Sequence, residues 1–210
     1  MLPADDYAKA VSALQNPARP AYVSFVTAAS ARGLRGDSDP AHTVFVRTKD
    51  GAIVEGSLEN FSTGHYERGD DTNPVSRPAF DPACYAPADE ETTQWEGRQA
   101  LRIALRATCS NKDPDGSDNG DAPFDALYVD PATLAPLGAT GTMGEEGVSV
   151  DLEEHFARFG PYVFASDLSA NVHGHGWLFW VRERATVTYS DYKFYERLPI
   201  IRRQAASGSR

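Results

Sequence analysis

The sequence has only two cysteines, two methionines and no excess of basic residues. Its 20 Lys and Arg residues against 30 Asp and Glu residues give a net charge of −10. Because a basic face supplies most of the affinity of a protein for nucleic acid, this charge argues against nucleic-acid binding, and equally against charge-driven binding to an anionic membrane. The sequence also lacks an apolar run of roughly 18 residues, so no transmembrane helix is predicted.

Established catalytic motifs are missing as well. The sequence contains no GxSxG nucleophile elbow, no P-loop and no HExxH zinc motif. Its paired acidic residues are sequence neighbours, which gives no evidence of the fixed separation that acid–base catalysis on a sugar needs, and we interpret them as solvated charges. These pairs are Glu90-Glu91, Glu145-Glu146 and Glu153-Glu154. The missing motifs favour a binding protein over an enzyme, and no cofactor is predicted.

The two cysteines, Cys84 and Cys109, belong to no CxxC pair, which excludes the zinc-ribbon and thioredoxin-like interpretations. Three interpretations stay open: a reactive thiol, two free buried thiols, or a disulfide between them. A disulfide closing a loop of about 25 residues would stabilise the fold by roughly 3 kcal/mol. It would also require an oxidising compartment.

The ends of the chain carry few structural signals. The N-terminal MLPADDYAKAV lacks the basic region and apolar run of a signal peptide, so an exported protein would have carried its leader ahead of this segment. Residues 202–210 are small and polar and are predicted to form a disordered tail. Residues 1–201 are predicted to form one domain, because 210 residues correspond to roughly 1.4 average domains.

One helix followed by many short strands is the predicted order of elements. Residues 3–15 fit a helix, with Tyr7, Val11 and Leu14 spaced along one face. From residue 21 the apolar period changes to two, and Asp50-Gly51 predicts a hairpin turn. Residues 98–110 alternate cleanly, which predicts a strand with one wet face. Residues 148–160 are predicted to form a strand running into a helical turn, and 176–195 two strands joined near residue 183.

Residues 60–97 contain no periodic run. They include four prolines and eight acidic residues, so we predict a long acidic loop excursion from the domain. One functional hypothesis follows directly: a protein-interaction domain that uses this loop to dock a basic partner.

The segment from Tyr128 to Phe194 resembles the lipoprotein-carrier (LolA-like) superfamily. The matching motifs are YVDPATLAPLG, FARFGPYVFAS, a Trp-bearing strand and TVTYSDYKF. The resemblance implies an α+β fold that is mostly antiparallel β: a curved half-barrel sheet wrapped over a few helices. It further implies an exported protein of the periplasm or cell envelope that holds a hydrophobic small molecule, a lipid or the acyl chain of a lipoprotein.

In such a sheet, inward-facing apolar side chains line either a ligand cavity or an ordinary filled core. Both interpretations stay open from the sequence. The cavity candidates are Phe25, Phe45, Leu101, Ile103, Leu105, Tyr128, Trp177 and Phe179.

His173 and His175 support an alternative function. On a strand, residues two apart point to the same face, so the two imidazoles could bind a metal ion in a metal-dependent enzyme or metal-binding module. A third ligand would be needed, and the sequence offers His155, Glu153 or Glu154. The competing interpretation is a glycine-rich polar turn without a metal.

Overall fold

The computed structural model describes residues 3–15, 19–32, 38–48, 52–55, 67–68, 74–75, 84–109, 123–145, 148–176 and 179–197. These residues form one helix, α1 (Pro3–Leu14), and eleven strands. The strands are β1 (Tyr22–Arg32), β2 (Ser38–Arg47), β3 (Ala52–Glu55), β4 (Glu67–Arg68), β5 (Tyr85–Trp95), β6 (Arg98–Ala107), β7 (Ala126–Val129), β8 (Pro136–Glu145), β9 (Val148–Phe159), β10 (Tyr162–Gly176) and β11 (Phe179–Tyr195).

All eleven strands belong to one open, curled sheet in the order β4-β3-β2-β1-β11-β10-β9-β8-β7-β6-β5. Neighbouring strands are antiparallel throughout. The early strands join the late ones because β1 pairs with β11, and β4 and β5 form the two edges. The predicted fold class, mostly antiparallel with helical packing, is confirmed. No helix in the described part of the chain is long and apolar enough to cross a membrane.

Short turns with local chemistry join the later strands. Glu96 and Gly97 link β5 to β6 with φ of 48° and 76°. Positive φ at both central residues is the geometry of a two-residue hairpin turn whose twist matches the strands. Gly160, with φ of 61°, lies between β9 and β10. Residues 52–55 pair with β2, so the hairpin predicted around Asp50-Gly51 is confirmed, although the turn itself lies outside the described residues.

Asp130 organises the turn between β7 and β8. Its Oδ1 accepts hydrogen bonds from the Thr133 hydroxyl at 2.8 Å and from the backbone N–H groups of Thr133 at 2.8 Å and Ala132 at 3.0 Å. These hydrogen bonds lower the pKa of Asp130 because they favour its ionised form, and the two from Thr133 have the largest effect. The predicted strand–turn–strand at Asp130-Pro131 is therefore confirmed.

Cys84 and Cys109 form a disulfide, so the two interpretations that left them as free thiols are wrong. Cys84 lies just before β5 and Cys109 just after β6. The bridge closes the open end of this hairpin, where the Thr108 N–H also donates to the Cys84 carbonyl at 2.8 Å.

Three other predictions need correction. The prediction of an acidic loop over residues 60–97 is wrong for residues 85–97, which form edge strand β5 and the turn after it. It is also wrong for the short strand β4. The rest of that stretch, apart from a turn at 74–75 and Cys84, lies outside the described residues. Residues 148–159 are one strand without a helical turn, because alternating apolar residues pair with both β8 and β10. Residues 179–195 are one long strand, because β10 and β1 flank most of its length.

The buried side chains form two core clusters. The first joins Tyr7, Ala10, Val11 and Leu14 of α1 to strands β5 through β10. The second lies around β1, β2 and β11. We call them the helix core and the aromatic core. A few helices were expected, and the described residues contain one, α1. The sheet residues that pack against α1 therefore all belong to the helix core. The aromatic core comprises Val23, Phe25, Val46, Val75, Phe164 and Tyr192.

Candidate functional site

Strand alternation divides the central strands into two faces. On β9, Leu152 and Phe156 pack with the helix core, so they lie on the face that carries α1. Asp151, Glu153 and His155 alternate with them and lie on the opposite face. We call these the helix face and the polar face. The helix face carries apolar side chains here, and the polar face carries acidic side chains and a histidine.

The helix face continues past the helix core as a band of apolar side chains, which we call the apolar strip. Its six members are half-buried, and Leu152 touches the edge of the helix core. One end of the strip is the cross-strand pair Val150 and Val172 of β9 and β10. From Val172 to Leu168 along β10 the strip is about 13 Å long. The members are Val150, Leu152, Leu168, Ala170, Val172 and Val187.

The strip is bounded on the side of β8. Gly141 pairs with Leu152 across the β8–β9 ladder. A Cβ on Gly141 would collide with the backbone of Pro123 and Phe124, so the chain passes directly over this glycine. Only glycine permits that approach, and the crossing segment forms one wall of the strip.

Glu154 closes the inner end of the strip. It pairs with Leu168 on one side and Ala139 on the other, and only 8% of its surface is exposed. Burial, together with the negative charge of Asp167, raises the pKa of Glu154 to about 8. The carboxyl group is therefore protonated at neutral pH, and acts as a neutral hydrogen-bonding group.

Two phenols lie near this carboxyl group. Burial, followed by the charge of Glu154, raises the pKa of Tyr189 to about 12. Burial also raises the pKa of Tyr192, whose hydroxyl donates to the Ala165 carbonyl at 2.8 Å. The inner end of the strip thus presents polar groups that carry no charge at neutral pH.

The cavity candidates that the structure describes lie in different parts of the sheet. Ile103 and Leu105 are buried in the helix core, and Leu101 packs against it. Phe25 lies in the aromatic core, with its ring centroid 5.4 Å from Tyr192. Three of these four are therefore core residues, and Leu101 is half-buried at the edge of the helix core.

Of the other four candidates, Tyr128 and Phe45 belong to neither core cluster. Tyr128 alternates with core residues of β7 and packs against Trp95 of the polar face, with ring centroids 4.3 Å apart and the rings tilted by 33°. Phe45 alternates with Val44 and Val46, which belong to or pack against the aromatic core, so it points to the opposite face. Trp177 and the side chain of Phe179 lie outside the described residues.

His173 lacks the third metal ligand that was expected for it. Its Nε2 lies 3.3 Å from Asp151 Oδ2. Glu153 and His155 share its face but lie about 13 and about 20 Å further along the strands, and Glu154 faces the other way. The side chain of His175 lies outside the described residues, and among the rest no group of three or more metal-ligating side chains is found.

His155 instead forms a cluster on the polar face that the sequence did not predict. Its Nδ1 is 2.8 Å from Asp167 Oδ1, and its Nε2 is 2.9 Å from Glu153 Oε1. The ring also meets the edge of Trp95, at a centroid distance of 5.2 Å. Because carboxylates engage both ring nitrogens, neither is open to a metal ion or to a substrate proton. The cluster fastens β9 to β10.

No protein-family model and no curated protein matches the sequence. Among solved structures, the chain is similar to a DUF1329 family protein from Desulfovibrio piger ATCC 29098. The identity is 10%, the similarity covers 92% of this chain and 94% of that chain, and the TM-score is 0.46.

Sequence reasoning missed Glu154 because it grouped the residue with Glu153 as a solvated pair. The local sequence contains the relevant signal. In Leu152-Glu153-Glu154-His155-Phe156, strand alternation places Glu154 between two apolar neighbours on one face and Glu153 on the other. A strand prediction carried through residue 156 would have singled out Glu154 as a buried acid.

Proposed function

We propose that the protein binds an elongated apolar ligand, an acyl chain, along the apolar strip of the helix face. The observation that carries this proposal is the half-buried state of all six strip residues, which continue the helix face beyond the part that is packed in the helix core. Contiguous apolar surface that is not packed in a core is typical of a ligand-binding or interaction site.

The shape of the strip supports a chain-like ligand. Its six members form three cross-strand rows of two side chains each on β9, β10 and β11, and the strip is about 13 Å long. The wall at Gly141 limits its width toward β8. An extended hydrocarbon fits such a strip better than a compact ligand does.

The protonation state of Glu154 supports the same assignment. An ionised carboxylate at the inner end would have to lose water when an apolar chain covers it, at a large cost. The raised pKa of Glu154 leaves the group neutral at physiological pH, and removes most of that cost. A chain can therefore extend to the inner end of the strip.

The disulfide supports export. Bridges of this kind form and persist in oxidising compartments such as the periplasm, and are rare in the cytosol. We therefore place the protein outside the cytoplasm, in the cell envelope.

Replacing Ala170 with Trp should block the strip and weaken binding of a dansyl-labelled C11 fatty acid at least tenfold. Ala170 lies mid-strip between Leu152 and Ala185, so an indole there occupies the space that a ligand would take. Fluorescence titration of the purified variant and of the wild type measures the effect.

Thr142→Trp is the matched control. Thr142 is exposed on the polar face and its hydroxyl donates to Asp151, so an indole there leaves the strip open. We expect wild-type affinity from this variant. Fluorescence that does not change on titration of the wild type, or equal affinity of Ala170→Trp and the wild type, would show that the strip is not a ligand site.

A further inference from the structure

A second depression lies on the polar face, where the end of β1 pairs with the middle of β11, apart from the apolar strip. Ser30, Arg32, Arg184 and Thr186 line a cavity of about 260 Å³. Arg32 is the direct cross-strand partner of Arg184, and Ser30 is that of Thr186, so all four side chains point to one face. This volume is below the range typical of whole drug-sized ligands and suits a small anion or a head group.

The arginine pair is unfavourable without a ligand. Like charges directly opposite each other in an antiparallel pair destabilise the sheet. In the part of the chain that the structure describes, no carboxylate forms an ion pair with either guanidinium. The next cross-strand neighbour of Arg184 is the neutral Asn171. Asp151, one strand further, already lies 3.3 Å from His173.

Arg102, on the same face, differs from Arg32 and Arg184 because an ion pair neutralises its charge. It lies directly opposite Glu91 and donates to it at 3.1 Å. In a chain with a net charge of −10, acidic partners are abundant, so the pairing of Arg32 with another arginine is not forced by composition. It concentrates positive charge at one place on an acidic protein.

The groups around the cavity are suited to an oxyanion. Two guanidinium groups offer planar forks of N–H donors that match phosphate oxygens in pairs. Thr186 Oγ1 is 3.1 Å from the hydroxyl of the buried Ser169. Where Ser169 donates in that bond, the Thr186 proton is directed toward the cavity, and Ser30 adds a second hydroxyl.

We propose that these four residues bind a phosphate group, either as free inorganic phosphate or as the phosphomonoester head group of a lipid. Two guanidinium charges match the two negative charges of a phosphomonoester near neutral pH. The site does not depend on ligand binding by the apolar strip.

Isothermal titration with inorganic phosphate at low ionic strength tests the site. We expect the wild type to bind and the double variant Arg32→Gln/Arg184→Gln to bind at least tenfold more weakly, with each single variant in between. Arg102→Gln is the matched control on the same face and should keep wild-type affinity. Circular dichroism checks that each variant is folded; relief of the like-charge contact should leave the melting temperature of the double variant without phosphate equal to or above that of the wild type.

Vesicles distinguish the two sources of phosphate. Cosedimentation compares phosphatidylcholine vesicles with and without phosphatidic acid. Arginine-dependent binding of phosphatidic acid vesicles without measurable binding of free phosphate assigns the site to a lipid head group, and the reverse assigns it to the free anion. If neither form binds at millimolar phosphate, or if the double variant binds both as well as the wild type does, the proposal is wrong.

Discussion

Glu154→Gln should remove most of the stability loss that the wild type shows between about pH 5 and about pH 8. The pKa of Glu154 is raised from an ordinary value near 4.5 to about 8, so in this interval the folded state holds a proton that the unfolded state has released. Unfolding therefore releases a proton, and the free energy of unfolding falls by about 1.4 kcal/mol for each pH unit. Over the roughly three pH units from about pH 5 to about pH 8 the loss is about 4 kcal/mol. Below the pKa that Glu154 has in the unfolded chain, near 4.5, both states are protonated, and Glu154 no longer makes the free energy of unfolding depend on pH.

Glutamine keeps the shape of the neutral acid and does not titrate. Chemical denaturation at a series of pH values measures the effect, and the variant should be the more stable protein at about pH 8. Glu91→Gln is the control because it removes an exposed carboxylate from β5 and should keep the slope of the wild type. If the slope between about pH 5 and about pH 8 is the same in Glu154→Gln and the wild type, Glu154 is ionised in the folded protein and the argument for a neutral inner end fails.

The sequence predicted those elements whose signals are local. Residues 98–107 alternate because Leu101, Ile103 and Leu105 of β6 pack with the helix core while its arginines lie on the other face, and such a pattern needs no knowledge of the neighbouring strands. The turn at Asp130 is equally local, because one carboxylate holds the two residues that follow Pro131. The helix over Pro3–Leu14 follows from the spacing of its four core residues.

Strand β5 was not predictable in the same way. Between its buried ends, Tyr85 and Trp95, its residues are mostly polar or acidic, so no apolar alternation marks it. It is an edge strand that is ordered by backbone pairing with β6 and by the disulfide. Charged residues on an edge strand oppose pairing with another chain, which explains a composition that otherwise predicts a loop.

The sequence predicted an apolar face on the sheet but not which residues lie on it. Alternation shows that Leu127, Tyr128 and Val129 point to opposite faces in turn, but not which of the two phases enters the core. The phase depends on where α1 lies and on the register of β6 and β8. The eight cavity candidates, five aromatic and three aliphatic, were predicted as inward-facing positions of alternating strands. The half-buried apolar strip consists of smaller aliphatic residues on β9, β10 and β11, whose exposure depends on how far the helix core extends.

Replacing both cysteines with serine should lower the free energy of unfolding by about 3 kcal/mol and the melting temperature by roughly 10 °C. The bridge closes a loop that spans 25 residues of sequence, and removing it returns that entropy to the unfolded chain. The loss should be local first: β5 is an edge strand held on one side by β6, so hydrogen exchange should accelerate across Tyr85–Trp95 before it does in β9 or β10. The wild type measured in reducing agent should behave like the double variant, while reducing agent should leave the variant unchanged. Equal melting temperatures of the oxidised wild type and the variant would show that the paired backbone of the hairpin suffices, and that the bridge contributes no stability at this edge.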